Sequence, residues 1–199
     1  MSIFNAAFCS VLVALAVPEP ASATDRPAPS QHWVAAWSAA ADQDGPALSG
    51  KTIRQIVRPS IAGPSVRLRL SNLYGTAAVT IGPVHIAKHA GDSAIRPGSD
   101  RAVTFGGKPT VTIAQGVDAL SDPVAFPLVA FEQVAISLYV VDGKVSTLHG
   151  VGMQTAFIAN GQVTAAAKLD DSETDTSRYF LTDVEVTARP EAQIGRAHV

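Results

Sequence analysis

The sequence has a single cysteine, Cys9, in 199 residues. It lies inside an apolar N-terminal run with Phe8 before it, which is not the setting of a lipidated cysteine. Once that run is removed, the chain has no disulfide framework and no thiol nucleophile. A surplus of charge is also missing, since 15 Lys+Arg stand against 17 Asp+Glu for a formal net of -2. A nucleic-acid binder would show a basic excess, and nothing here draws the chain to an anionic membrane. Helical periodicity is absent too: no window between Thr24 and Pro190 keeps a 3.6-residue apolar pattern with caps. There is no internal repeat of the kind that builds a propeller. His85 and His89 are four apart on a strand pattern, where side chains do not converge as they would on a helix, and no carboxylate cluster accompanies them. The sequence therefore implies neither a metal nor a cofactor.

What is present begins with Ile3 to Val17, IFNAAFCSVLVALAV, followed by Pro18, Pro20 and Ala21-Ser22-Ala23. A short apolar core ending in small residues reads as a secretory signal peptide over 1–23, although its first residues carry no Lys or Arg. It is shorter than the ~20 residues of a spanning helix. The expected product is secreted or periplasmic, with no stable membrane association after cleavage. Residues 24–31 read as a Pro- and Ala-rich lead-in. The rest is long enough to be held by its own core.

The clearest pattern is Val66, Leu68 and Leu70 alternating with Arg67, Arg69 and Ser71, the period-two signature of a half-buried strand. A second such run is Val134, Ile136, Leu138 and Val140, with Ala135, Ser137 and Tyr139 between. Strands are also expected at 32–38, at 52–57 and at 79–86. In the second of these, Ile53 and Val57 are out of phase with Ile56, so both faces call for cover. In the third, Pro83 signals an edge or a bulge. Residues 102–105 and 110–113 read as a hairpin around Gly106-Gly107. Asp142-Gly143 and Asn160-Gly161 read as hairpin turns, while 90–100 and 165–177 read as polar loops. Short strands punctuated by Gly, Pro, Asn and Asp predict an all-β, jelly-roll-like β-sandwich over 32–190.

Candidate functional residues are few. Gly91-Asp92-Ser93 matches a GDS serine-hydrolase tripeptide, but it lacks the strand–turn–helix setting such a nucleophile needs. It reads as a loop. The histidines (32, 85, 89, 149 and 198) read as solvated or structural. Trp33 and Trp37 fall on one face with Ala35 and read as core; the alternative is a sugar-stacking platform. Arg54, Arg67 and Arg69 read as a wet outer face or, alternatively, as a docking surface that pairs carboxylates of another domain.

The runs TIRQIVRPSIAGPSVRLRLSN (52–72), YGTAAVTIGPVHIAK (74–88) and GDSAIRPGSDRAVTFGG (91–107), with the later AISLYV (135–140) and YFLTDVEV (179–186), resemble the N-terminal region of secreted bacterial SGNH/GDSL-type esterases. The resemblance spans about Trp33 to Val186. It implies a β-sandwich placed before an α/β hydrolase domain, with ester hydrolysis as the reaction of the whole. In that family a GDS block follows the equivalent of YFLTDVEV, and a late Asp-x-x-His completes the site. Neither stands after Val186 here, and Ser93 does not match the nucleophile's position. No catalytic residue is carried over, and the implied partner is the absent C-terminal hydrolase domain. The end, IGRAHV at 194–199, looks like translated sequencing adapter, so 191–199 is expected to be a truncated end rather than part of the fold. The alternatives are a stand-alone carbohydrate-binding module and a purely structural β domain.

Overall fold

The computed structural model describes residues 32–145 and 147–188. The expectations for the signal segment, the lead-in and the tail fall outside these residues. The described chain contains strands and no helix, so none is long and apolar enough to cross a membrane. In order the strands are β1 (His32–Ser38), β2 (Lys51–Val57), β3 (Gly63–Ser71), β4 (Val79–Gly91), β5 (Ala94–Ile95), β6 (Arg101–Val103), β7 (Val111–Ile113), β8 (Asp118–Leu120), β9 (Val124–Leu128), β10 (Val134–Asp142), β11 (Leu148–His149), β12 (Ala156–Asn160), β13 (Glu173–Asp175), β14 (Arg178–Tyr179) and β15 (Leu181–Ala188).

They form two antiparallel sheets. The smaller runs β1-β15-β3, with β8 and β9 sharing the far edge of β3. The larger runs β13-β12-β2-β10-β4, with β5, β6 and β7 along the far edge of β4. A short ribbon pairs β11 with β14. The two clear sequence patterns supply the opposed faces. In the smaller sheet Val66 and Leu68 of β3 stand opposite Val186 and Val184 of β15. In the larger sheet Val134, Ile136, Leu138 and Val140 are all fully buried. The two apolar faces pack together as the core of a sandwich.

The outer face of the larger sheet is covered as well. Ile56, Ala87, Ile95, Ala135, Phe157 and Leu169 make a second apolar cluster, with Val163 and Ala166 packed against it. Its cover is the connection 161–172, which folds back as a strap over β2 and β10. This accounts for the out-of-phase Ile56. Pro83 cannot donate to a ladder, and the edge of β4 divides around it. Residues 84–86 pair with β6, 79–81 pair with β7, and the register against β10 shifts between Leu138 and Val140.

Five expectations are corrected. The strands at 101–103 and 111–113 do not pair with each other, since both lie along β4. The tight turn between them does exist, closed by mutual Phe105–Lys108 backbone bonds and held by Asp122, which accepts from Gly106 N, Gly107 N and Thr104 Oγ1. Asp142-Gly143 leads out of β10 to a bridge between Lys144 and Ala47, and Asn160-Gly161 opens the long strap that joins β12 to its antiparallel partner β13, so neither is a tight two-residue hairpin turn. Residues 90–100 are in part a hairpin, with β4 running to Gly91 and turning at Asp92-Ser93 into β5. Residues 165–177 include β13.

A buried cross-link joins the two ends of this fold. Gln55 projects from β2 into the core, where Nε2 donates to the Tyr179 carbonyl at 3.0 Å and Oε1 accepts from Tyr179 N at 2.7 Å. Tyr179 Oη in turn donates to Asp175 Oδ2. Burial, and then that bond, push the phenol up from its ordinary value. Burial also raises the Asp175 carboxyl, but bonds from Tyr179, Thr176 and Ser177 outweigh it and hold the group below the usual carboxylate range. A carboxyl with a depressed folded-state pKa stabilises fully above its unfolded pKa, about 3.9. That contribution is lost as pH falls through the folded value. The thermal midpoint is therefore expected to stay level as pH falls from 7 to about 5, then to drop below about 4, and to drop less steeply in Asp175→Asn. Scanning calorimetry across that range checks it. Equal acid slopes in the two proteins would contradict the assignment.

Candidate functional site

Ser93 does not stand free as a nucleophile would. It is buried, and its Oγ donates to the Leu169 carbonyl at 3.0 Å and accepts from Leu169 N at 3.1 Å. The GDS tripeptide is the turn between β4 and β5 and fastens the strap. Three of the four described histidines are engaged elsewhere, and His32 lies exposed at the start of β1. His85 Nδ1 lies 2.8 Å from Asp100 Oδ2, His89 contacts Gln133 and the Asp92 carbonyl, and His149 lies beside Asp42. Among the described residues, no group of three His, Cys, Asp or Glu could hold a metal ion.

Arg54 is not on an open face. It does project from the outer side of β2, as the alternation requires, but the strap closes over it and it is fully buried. Nε donates to Ser137 Oγ at 2.8 Å, Nη1 to the Ser93 carbonyl at 2.5 Å, and Nη2 to the carbonyls of Thr164 and Ala166 at 3.1 and 2.7 Å. Burial lowers its pKa to about 10, against an opposing pull from Asp100. Arg54 thus cross-links sheet, turn and strap from within, and offers nothing to a partner. Its partners are mostly backbone carbonyls, which carry no side-chain signature in a sequence.

The tryptophans do not share a face. The pairing of β1 with β15 shifts between Ala35 and Trp37, where a bulge inserts Ala36. The alternation inverts there, so Trp37 packs against the sandwich core while Trp33 stays on the outside. A two-tryptophan platform is therefore not formed. Trp33 instead lies under Arg67, whose guanidinium carbon sits 4.4 Å from the ring centroid, a cation–π contact.

Arg67 and Arg69 do occupy the outer face of the smaller sheet, where β15 supplies matched acids. Arg67 Nη2 lies 2.6 Å from Glu185 Oε2, Arg69 Nη2 lies 2.9 Å from Glu185 Oε1, and Arg69 Nε lies 3.3 Å from Asp183 Oδ2. Ser38 Oγ on β1 donates to Asp183 Oδ1 at 2.7 Å. The register dictates this, since Glu185 pairs with Arg67 and Asp183 with Arg69 directly across the ladder. The result is a ladder of alternating charge with Trp33 at one end. It is half sunk in the surface: the Glu185 side chain is 11% exposed and that of Arg67 24%.

At the other end of the ladder the surface opens into a cleft of about 400 Å³. Arg69, Asp183 and Asp118 line it, and Leu73 and Tyr74 stand at its edge. Sequence reasoning found Arg69 but missed the cleft. Its walls come from residues 38–41, 69, 71, 73–74, 118 and 182–183, which only the topology brings together. Neither a protein-family model nor a curated protein matches the sequence.

Proposed function

We propose that the chain is the β-sandwich accessory domain of a secreted SGNH/GDSL-type serine esterase. In this reading it docks against a hydrolase domain that carries the ester chemistry, and performs none itself. The resemblance of the runs at 52–72, 74–88 and 179–186 supports the family. One observation carries the docking role: the half-sunk Trp33–Arg67–Glu185–Arg69–Asp183 ladder on the solvent side of the smaller sheet. Isolated surface ion pairs are solvated, mobile and worth ~0–1 kcal/mol. Here each group is already ordered by its neighbour, so a partner docking on the ladder would immobilise few further side chains. The buried, doubly bonded Ser93 supports placing the nucleophile outside this domain.

The genomic reading frame past the Gln193 codon is expected to continue into a buried strand and a GDS block, and a stop codon there would sink the proposal. With that frame restored, Arg67→Glu is expected to lower the unfolding temperature of the hydrolase domain as well as that of the sandwich. A shift confined to the sandwich would show a merely solvated ladder. The chain by itself is expected to turn over no p-nitrophenyl ester, and turnover abolished by Ser93→Ala would overturn the non-catalytic role.

A further inference from the structure

The cleft opens at the Arg69–Asp183 end of the ladder and adds groups that the ladder does not pair. Its volume of about 400 Å³ falls within the range of small-molecule sites, roughly 300–1,000 Å³. Its rim is apolar and exposed: Leu73 is 52% and Tyr74 51% accessible. Val117 stands next to them, its carbonyl accepting from Asn72 N at 3.0 Å. The Tyr74 hydroxyl lies 3.5 Å from the Ala41 carbonyl on the facing segment, which sets the ring as a wall of the cleft rather than a free flap. The floor is polar and charge-balanced. Arg69 is engaged by Asp183 and Glu185 through Nε and Nη2, which leaves Nη1 without a partner among the described residues. The Asp118 side chain likewise has none, so one guanidinium nitrogen and one carboxylate remain free to bind.

Each class of ligand can be weighed against this set. An anion would meet two carboxylates and a guanidinium already neutralised. A metal ion would find two aspartates beside an arginine, with no third ligand among the described residues. A lipid chain would have to strip water from the charged floor. A neutral polyhydroxylated molecule fits all of it. Hydroxyls donate to Asp118 and accept from Arg69 Nη1, while the C–H face of a sugar ring lies on Tyr74. The cleft is open rather than enclosed, which suits a stretch of chain more than a single small molecule. We infer that this cleft binds a neutral saccharide chain, with Tyr74 as the stacking surface and Asp118 and Arg69 as the hydroxyl partners. The site is separate from Trp33 and Trp37 and does not depend on an esterase domain.

The test is titration calorimetry on the whole chain with cellohexaose, xylohexaose and mannohexaose, and with hexagalacturonate as the acidic counterpart. At least one neutral hexaose is expected to bind. Tyr74→Ala is expected to weaken it about five- to tenfold, the worth of one aromatic contact. Asp118→Asn should weaken it by about tenfold, the loss of a charge-assisted hydrogen bond. Val151→Ser, on an exposed loop outside the cleft, should leave it unchanged. Chemical-shift mapping on the unsubstituted protein should place the perturbed amides at 38–41, 73–74 and 117–118, a readout that survives if a variant fails to fold. No binding by any neutral hexaose at millimolar concentration overturns the inference. So does tighter binding of hexagalacturonate, or perturbation confined to another face.

Discussion

Arg54→Met is expected to lower the unfolding free energy by about 3–5 kcal/mol, among the largest single-residue effects in this fold. Methionine keeps the unbranched stem and much of the volume of arginine, so the cavity is confined to the guanidinium end. What it cannot supply is donors. The Ser93, Thr164 and Ala166 carbonyls and Ser137 Oγ all accept from this one guanidinium in a site without solvent. Leaving a buried acceptor unsatisfied costs about 1–3 kcal/mol each. The strap can relax outward to hydrate some of them, which is why the expected loss is less than the sum. Urea unfolding measures the total, and hydrogen exchange shows where it falls. In the variant, amides at 161–172 should exchange faster than those of β10, because the strap opens before the sandwich does. Arg54→Lys should recover less than half of the loss, since one ammonium cannot span carbonyls that a planar fork reaches together. A fall below 1 kcal/mol for the methionine variant would mean the strap is held by its apolar contacts alone.

Gln55→Met is expected to cost about 2–4 kcal/mol by a different route. The Gln55 amide stands in for a neighbouring strand: it satisfies both the N–H and the C=O of Tyr179, deep between the sheets. Methionine again matches the volume, so the loss isolates two orphaned backbone groups. The unfolding midpoint in urea should fall with the slope unchanged, because the surface exposed on unfolding is the same. A near-isoenergetic variant would show that Tyr179 finds other partners by local shifts.

Both residues mark where the sequence was legible and where it was not. The alternation at 66–70 and 134–140 showed the two sheets and their inner faces, because a period of two has only one cheap placement beside water. The phase conflict of Ile53, Ile56 and Val57 showed that β2 is covered on both sides. What covers it could not be read, because 161–172 is polar enough to pass for a solvated loop and its anchors are carbonyls. Arg54 therefore read as wet. Trp33 was read as core together with Trp37 because HWVAAWS carries no mark of the extra residue at Ala36, and a bulge inverts every side chain beyond it. Arg67 and Arg69 were legible as an outer face. Their acids were not, because Asp183 and Glu185 lie over a hundred residues away and meet them only through register. The cleft, made of four separated segments, left no local trace.

The order of strands in the smaller sheet also bears on when this domain can form. β15 is last among the described strands, yet it lies between β1 and β3, which do not pair with each other. On a ribosome the first strand to emerge is the last to find its neighbour. Until Leu181–Ala188 has cleared the exit tunnel, the inner faces of β3 and β1 have no lateral closure and the larger sheet waits half covered. Such long-range closure is slow, and the waiting state exposes strand edges to other chains. Translated without residues 1–23, a nascent chain stalled before Leu181 should bind holdase chaperones, and one stalled well beyond Ala188 should not.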